Sequence, residues 1–362
     1  MNGGGQHSMR TLLTLVVIAT AATAATASPL EAQDRDGRLS PGARASLARA
    51  QRDRSSSQRQ DGREQVERVN RTFRLGQNGE LHLGNISGDI TITRGAGNEA
   101  SVEIVKTARG RDDAEAREQL QLVQVDVTER NNRAEVKTRY PEGEENRRNN
   151  RRNFNVSVAY NVTAPASLRI RATSISGSIT TRDIKGELLA ESVSGAVRIF
   201  NGGRVGTAKS ISGSVEINET DIDGLLNAST VSGSVLLRRV KARQIEVGSI
   251  SGDVVLDGVD SAQVEGQTVS GSVRFAGPVV RGARYEFSSH SGDVSVTLGS
   301  NDGFEVEATS FSGSIRSDFS FGTDNADGRR GRRRQSVRGV VGDGSAMVEL
   351  TTFSGNIVIA RR

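Results

Sequence analysis

The stretch Val231-Ser232-Gly233-Ser234-Val235 decides the fold, because the chain carries ten copies of it with small changes. In every copy an aliphatic residue stands two positions after the Gly, and in most copies another one precedes the Ser. The glycines of the ten copies are Gly88, Gly177, Gly195, Gly213, Gly233, Gly252, Gly271, Gly292, Gly313 and Gly355.

The spacing of the copies is regular. From Gly177 to Gly313 the steps are 18, 18, 20, 19, 19, 21 and 21 residues, and the last step is 42 residues. Short alternating runs follow and precede each Ser-Gly, and period-two alternation is typical of strands with one buried face. The repeat therefore predicts an all-β chain that forms a parallel β-solenoid with coils of about 19 residues. The double step indicates that an insertion has replaced one coil.

The motif residues have expected places in such a coil. Gly is expected at a corner, where a positive φ or a close backbone approach favours a residue without Cβ. The aliphatic residues on both sides of Ser-Gly are expected to form two buried columns, and the Ser to hydrogen-bond along its column or to the turn. A narrow interior of this kind suits a chain with 4% aromatic residues and no Trp.

The repeat also divides the chain. Residues 66–165 are predicted to form a β-rich, partly antiparallel cap with one helix at Asp112–Gln121, and residues 166–362 the repeats, with an Arg-rich insertion at 320–345. A final strand at Ile357–Ala360, ending in Arg361-Arg362, is expected to leave a charged sheet edge. Strands of the cap region are predicted at Thr72–Leu75, Glu80–Leu83, Asp89–Thr93, Ser101–Thr107, Leu122–Thr128, Arg133–Arg139, Phe154–Val162 and Leu168–Ala172.

Residues 1–32 have the pattern of a signal peptide. A basic start at Arg10 precedes the apolar run from Leu12 to Ala19, and cleavage is predicted after Ala27 or Ala32, with Met9 as an alternative start. The run is short for a membrane span, which needs about 20 residues, so no transmembrane segment is expected after signal removal. Residues 33–65 are predicted to be a disordered polar linker. The protein is expected to be exported, to the periplasm, the cell surface or the medium.

Composition excludes several chemistries. The chain has no Cys, which removes disulfides, thiolate metal sites and the lipid anchor of a bacterial lipoprotein. His7, His82 and His290 lie far apart in sequence, so no metal site is expected. No catalytic residue and no cofactor is predicted.

Two arginine clusters carry the positive charge. Without their nine arginines the formal net charge would fall from +5 to −4. Arg binds phosphate and carboxylate with a planar fork, so these side chains are candidate polyanion contacts; solvated loops without a ligand are the alternative. The basic segments lack interleaved aromatic residues, which disfavours nucleic acid. The clusters are Arg147, Arg148, Arg151 and Arg152, and Arg329, Arg330, Arg332, Arg333 and Arg334.

Several sequence features resemble the bacterial putative-adhesin family of domains of unknown function. They are Asn161-Val162-Thr163-Ala164-Pro165 leading into Leu168-Arg169-Ile170, the serial Thr-Val-Ser-Gly-Ser-Val copies, and the closing segment Thr352–Ala360. The resemblance covers roughly Val66 to Arg362. It implies a β-solenoid and an adhesin-like role, and leaves the Arg-rich insertion unexplained.

Three rival chemical interpretations are weaker. A β-helix glycosidase would need aligned carboxylates, but the candidate acids stand at different offsets from their motif Gly; they are Asp183, Asp221, Asp223, Asp257 and Asp260. Calcium at Asp89, Asp253 and Asp293 would require a nine-residue period. His290 has the side chain of a possible catalytic base. It replaces an aliphatic residue of an expected inner column, and it is interpreted as a partly exposed or water-bonded member of that column.

The leading hypothesis is an exported, non-enzymatic binding or scaffold protein of the cell envelope. Its expected partner is an envelope polysaccharide, an anionic lipid or an envelope protein. The first alternative is an envelope-stress or signalling accessory protein that binds a protein partner. The second is a carbohydrate-active β-helix enzyme.

Overall fold

The computed structural model describes residues 63–76, 79–141, 155–299, 303–320 and 335–362. The predicted signal peptide and most of the predicted linker lie outside these ranges. The described residues form 24 strands and one helix, which confirms the prediction of an all-β chain. The first elements are β1 (Arg63–Phe73), β2 (Glu80–Ser87), β3 (Ile90–Arg94), β4 (Ala100–Gly110), α1 (Asp113–Leu122), β5 (Gln124–Arg130), β6 (Arg133–Arg139) and β7 (Val156–Ala164).

The repeat region contains the remaining strands. In chain order they are β8 (Arg169–Ser176), β9 (Ile179–Arg182), β10 (Glu187–Ser192), β11 (Val197–Phe200), β12 (Arg204–Ser210), β13 (Val215–Ser232), β14 (Val235–Ser251), β15 (Val254–Asp257), β16 (Asp260–Ser270), β17 (Val273–Ala276), β18 (Arg284–Ser291), β19 (Val294–Leu298), β20 (Phe304–Ser312), β21 (Ile315–Ser317), β22 (Gln335–Val341), β23 (Ala346–Ser354) and β24 (Ile357–Arg361). The residues that connect β21 to β22 lie outside the described ranges.

The strands pair in two ladders. The first ladder contains the strands that precede Ser-Gly, with β5, β6 and β22 added at its ends. Its spatial order is β5, β6, β2, β8, β10, β12, β13, β14, β16, β18, β23, β20, β22. The second contains the strands that follow Ser-Gly, with β1, β4 and β7 added at one end. Its spatial order is β1, β4, β7, β3, β9, β11, β13, β14, β15, β17, β19, β24, β21. The long strands β13 and β14 belong to both.

Strand orientation is mixed. The interior of both ladders is parallel, whereas β1 with β4, β4 with β7, β5 with β6, and β20 with β22 are antiparallel. The antiparallel pairs stand at the ends of the ladders. Each rung matches a copy of the motif, so equivalent residues of neighbouring rungs lie about 4.8 Å apart.

The cap joins the repeats through β2 and β3. These strands carry the Gly88 copy and pair directly with β8 and β9, although the chain between them is long. The excursion forms the outer strands β4 to β7 and α1. Asp112 caps α1 by accepting the amide of Glu115 at 2.8 Å, and the Glu115 carboxylate accepts the amide of Arg111 in return.

The end of the repeat region corrects the sequence interpretation. The coil of β23 and β24 lies between the coil of β18 and β19 and the coil of β20 and β21. The final strand is therefore an interior rung, and the edges at this end are β21 and β22, not the strand that ends in Arg361-Arg362. Among the described residues of the 42-residue step, β22 pairs antiparallel with β20. The last coil of the chain, formed by β23 and β24, folds back and lies between the coils that immediately precede it in the chain.

The core consists of inward-pointing side chains of both ladders. Along β14, for example, Ile245, Val247 and Ser249 point inward, and Glu246 and Gly248 point outward. Most core positions hold Val, Ile, Leu or Ala, and Phe275 packs against Tyr285 and Phe287 at ring distances of 5.3 and 5.1 Å. No helix within the described ranges is long and apolar enough to cross a membrane.

Candidate binding surface

The motif glycines form a column at one corner. Nine of the ten lie against the backbone carbonyl of the glycine in the neighbouring rung, so that a Cβ on Gly252, for instance, would collide with the carbonyl oxygen of Gly233, and Gly88 lies against the carbonyl of Val158 instead. The column runs in rung order from Gly88 and Gly177 to Gly292, then to Gly355 and Gly313, in agreement with the folded-back coil. Close backbone approach, rather than a special φ, is thus the common requirement.

A buried row of small polar residues supports that corner. In eight of the ten copies, the residue two positions before the motif Ser points inward and donates its hydroxyl to the carbonyl of the glycine one rung away. Examples are Ser249 to Gly233 at 2.8 Å and Thr268 to Gly252 at 2.9 Å. In the other two copies the residue is Asn85, which donates through its amide, and Ser174, whose buried hydroxyl has no partner among the described residues. The motif Ser, for which the sequence predicted this role, has an exposed side chain in most copies. The missed signal is the small polar residue that recurs at this position in every copy.

The aliphatic residues before Ser-Gly also differ from expectation. Those after Ser-Gly are buried, apart from the partly buried Ile315, but those before it form an exposed row, so only one of the two expected inner columns exists. We call this the exterior row. Its members, in rung order, are Ile86, Ile175, Val193, Ile211, Val231, Ile250, Val269, His290, Phe353 and Phe311, and the eight of them other than Ile86 and His290 are 37–51% exposed.

Strand parity explains the row. Alternate residues of a strand lie on the same face, so Ser249 points inward like Ile245 and Val247, and Ile250 points outward. The hydroxyl of Ser249 can lie inside because the Gly233 carbonyl accepts its hydrogen bond. Alternation along the strand therefore overrides the hydrophobicity of Ile250.

His290 belongs to this exterior row and not to an inner column. Its ring stacks on Phe353 at 4.9 Å with an interplanar angle of 9°, and Phe353 stacks on Phe311 at 5.6 Å. The row thus ends in three stacked rings on adjacent rungs.

A groove runs along the other end of the exterior row. Its volume is about 570 Å³, and its apolar lining includes Ile86, Ile175, Val193 and Ile211. Lys137 and Lys209 also contribute to its wall. Exposed apolar surface that continues along one line is unusual for a soluble protein and commonly marks an interaction site.

A column of glutamates lies on the same face as the exterior row. Glu246, Glu265, Glu286, Glu349 and Glu307 occupy equivalent positions of β14, β16, β18, β23 and β20. We call them the glutamate column. Partial burial raises the pKa of Glu265, and the charges of Glu286 and Glu246 add to the increase. The column could not be predicted from the sequence, because its members become neighbours only through the strand register.

The candidate catalytic acids do not converge on one site. Asp183 lies at a second corner with φ 59° and accepts a hydrogen bond from Asn201. Asp223 pairs with Arg243 at 2.6 Å. Asp260 lies 3.9 Å from Lys241, and Lys241 stands between Asp260 and Asp221 in the strand register. Asp257 is exposed next to the turn at Gly258.

The candidate calcium ligands have backbone partners. Asp89 accepts the amide of Ser178 at 2.8 Å, and Asp253 accepts the amide of Ser272 at 2.9 Å. Asp293 accepts the amide of Asn356 at 2.7 Å. Each carboxylate joins its own rung to the next one. Over the described part of the chain, no group of three or more His, Asp or Glu side chains could hold a metal ion.

His82 lies in a small charged cluster on β2. Glu80 and Arg133 contact opposite nitrogens of its ring, and the hydrogen bond from His82 lowers the pKa of Glu80. Arg133 can only donate, so the Nδ1 of His82 accepts and its Nε2 donates to Glu80. The cluster joins β2 to β6. Both arginine clusters, which are the candidate polyanion contacts, lie outside the described residues.

These features define a class of protein, an all-β repeat chain whose fixed register presents long rows of identical side-chain types on its exterior. The chain belongs to the Toastrack DUF4097 family, whose sequence model matches residues 78–360. This match confirms the resemblance noted in the sequence. No curated protein matches the chain.

Solved structures of bacterial proteins are similar to this chain at low identity. A putative adhesin from Parabacteroides merdae is 8% identical, with 81% of this chain and 96% of that chain covered and a TM-score of 0.39. A putative adhesin from Bacteroides fragilis is 12% identical, with 81% and 97% covered and a TM-score of 0.37. A putative cell adhesion protein from Clostridium sporogenes is 10% identical, with 82% and 100% covered and a TM-score of 0.23.

Proposed function

We propose that this protein is an exported, non-enzymatic binding or scaffold module of the cell envelope with an adhesin-like role. In this proposal the two ladders stack as a β-solenoid, and the exterior row is the binding surface. The observation that carries it is the row itself, which extends about 43 Å over ten rungs at the usual strand spacing.

The energetics of the row favour a partner. Large apolar side chains that remain about half exposed gain roughly 25 cal/mol for each further Å² removed from water. The strands below them are held by ladder hydrogen bonds on both sides, so the surface is ordered before binding. A rigid surface loses little conformational entropy when it binds.

Binding to envelope vesicles tests this proposal. We expect the full chain to bind saturably to vesicles from the bacterium that produces it. Changing Ile175, Ile211 and Val231 to Ser should weaken binding about tenfold, because three apolar contacts are lost. The matched control changes Leu236, Val255 and Val358, the outward apolar residues of the second ladder, to Ser. Equal affinities for the wild type and the exterior-row variant would contradict the proposal.

The partner class separates two forms of the proposal. A protein partner, as in an envelope-stress or signalling accessory protein, is favoured by the exterior row, and binding would then disappear when the vesicles are treated with protease. Polyanionic glycans or anionic lipids would instead be contacted by the arginine clusters. Binding would then survive protease, weaken in high salt and be lost when Arg329, Arg330, Arg332, Arg333 and Arg334 are changed to Gln.

A further inference from the structure

The glutamate column is an incompletely neutralised row of charge. Arg284 lies 3.4 Å from Glu349 and 3.9 Å from Glu286, and Arg338 lies 2.7 Å from Glu307. The other two members, Glu246 and Glu265, have no Lys or Arg within ion-pair distance in the described ranges. They accept hydrogen bonds from the neutral amides of Asn227, Gln244 and Gln267. Like charges directly opposite each other destabilise a sheet, so this column favours a cationic partner.

The column and the exterior row enclose a shallow trough. On each strand they are four residues apart, or about 13 Å. Between them stand residues that are mostly small, namely Gly248, Gln267, Ser288, Thr351 and Thr309. One side of the trough is therefore acidic, and the other is apolar, formed by Ile250, Val269 and the stacked rings. An anionic glycan or lipid headgroup would be repelled by the acidic side.

The dimensions suit a helix that lies along the trough, across the strands. A helix is about 10 Å wide with its side chains, and successive turns repeat every 5.4 Å, close to the 4.8 Å spacing of the rungs. Side chains three or four residues apart would meet successive rungs. An extended strand in the same direction would repeat every 6.6 Å or so and would lose register after a few rungs.

We infer that the trough from Ile250 to Phe311 binds a basic amphipathic helix of a protein partner. The apolar side chains of the helix pack on the exterior row, and its Lys or Arg side chains pair with the glutamate column. This inference rests on the proposed function and specifies the partner class for one part of its surface. The groove at the other end of the row, with its two lysines, lies outside the inferred site.

A synthetic helix tests the inference with the full chain. The probe is an 18-residue peptide with Leu at positions three and four apart and Lys beside them, and its control has Glu in place of Lys. We expect fluorescence anisotropy to detect binding of the Lys peptide and not of the Glu peptide. Changing Glu246, Glu265 and Glu286 to Gln should weaken binding about tenfold and reduce its dependence on salt, since exposed pairs each contribute modestly.

Matched variants separate the two sides of the trough. The change of Phe311 and Phe353 to Ser should weaken binding of the Lys peptide without reducing the salt dependence of that binding. The charge-matched control changes three carboxylates outside the trough, Asp221 and Asp257 to Asn and Glu129 to Gln, and should leave affinity unchanged. Thermal unfolding verifies that each variant is folded.

Three outcomes would overturn the inference. They are equal binding of the Lys and Glu peptides, unchanged affinity in the Glu-to-Gln variant, and self-association of the wild type that this variant abolishes, which would assign the trough to a second copy. If the Lys peptide does not bind, but vesicle binding still depends on Ile175, Ile211 and Val231, the inference fails and the proposed function stands. If both fail, the proposed function fails as well.

Discussion

At the residue scale, the fold depends on a contact between backbones. From Gly195 onward, each motif glycine lies against the carbonyl of the glycine one rung away, and a buried hydroxyl from the same rung donates to that carbonyl. The two features explain each other. The carbonyl occupies the place where a side chain would stand, and the hydroxyl satisfies it where water cannot reach.

Gly252→Ala tests this contact. The new Cβ would collide with the Gly233 carbonyl, which cannot move without disturbing its own rung. We expect a loss of about 3 kcal/mol in the free energy of unfolding, as for other overpacked sites. Urea denaturation measures it.

Gly206→Ala is the matched control, because a Cβ there meets nothing within 4 Å. It should change stability by no more than about 0.5 kcal/mol, as surface substitutions usually do. Equal effects of the two alanines would show that backbone contact does not explain the glycine column.

At the element scale, the positions of the strands were predicted more accurately from the sequence than the sheet face on which their side chains lie. Alternating runs located β6 at Arg133–Arg139, and helix α1 lies one residue from its predicted bounds. Strand β1 begins nine residues before the predicted Thr72, because eleven residues pair with β4 and this partner is not visible locally. The exterior row was assigned to the interior because composition was given more weight than parity.

Strand register also creates the glutamate column, and Glu265→Gln tests its effect on stability. The raised pKa of Glu265 means that the folded state disfavours its ionised form. The contribution of Glu265 to stability is therefore greatest below the ordinary pKa of 4.5 and decreases as the pH rises through the raised value. At pH 7 the substitution should raise the free energy of unfolding by about 0.5 kcal/mol, the size of one opposed like-charge pair. The gain should vanish below pH 4, where Glu265 is protonated in both states.

Glu103→Gln is the control with the opposite sign. Hydrogen bonds from Asn161 and Arg68 lower the pKa of Glu103, so its contribution is present at neutral pH and disappears as the pH falls through the lowered value. This substitution should destabilise the protein at pH 7. A Glu265→Gln variant that is also destabilised at pH 7 would contradict the interpretation of the column as a site of repulsion.

At the scale of the whole molecule, chain order and spatial order separate at both ends. The Gly88 rung stacks on the Gly177 rung across the cap excursion, and the last coil of the chain is the second-to-last coil in space. Regular spacing in the sequence does not by itself identify neighbouring rungs, because Gly292 and Gly313 are 21 residues apart and the Gly355 rung lies between them. The order at the ends depends on which coil can insert between two others, and a single sequence does not encode that choice in its period.

Deleting residues 346–362 tests the folded-back order. This removes β23 and β24, which are the parallel partners of β20 and β21 and which join them to β18 and β19. Because repeat proteins are stabilised mainly by contacts between neighbours, we expect β20 to β22 to lose amide protection while β8 to β14 retain it. Hydrogen exchange measures both regions, and deletion of Arg362 alone is the control. If β20 remained protected, it could pair directly with β18, and the folded-back coil would not be required to hold this end of the sheet together.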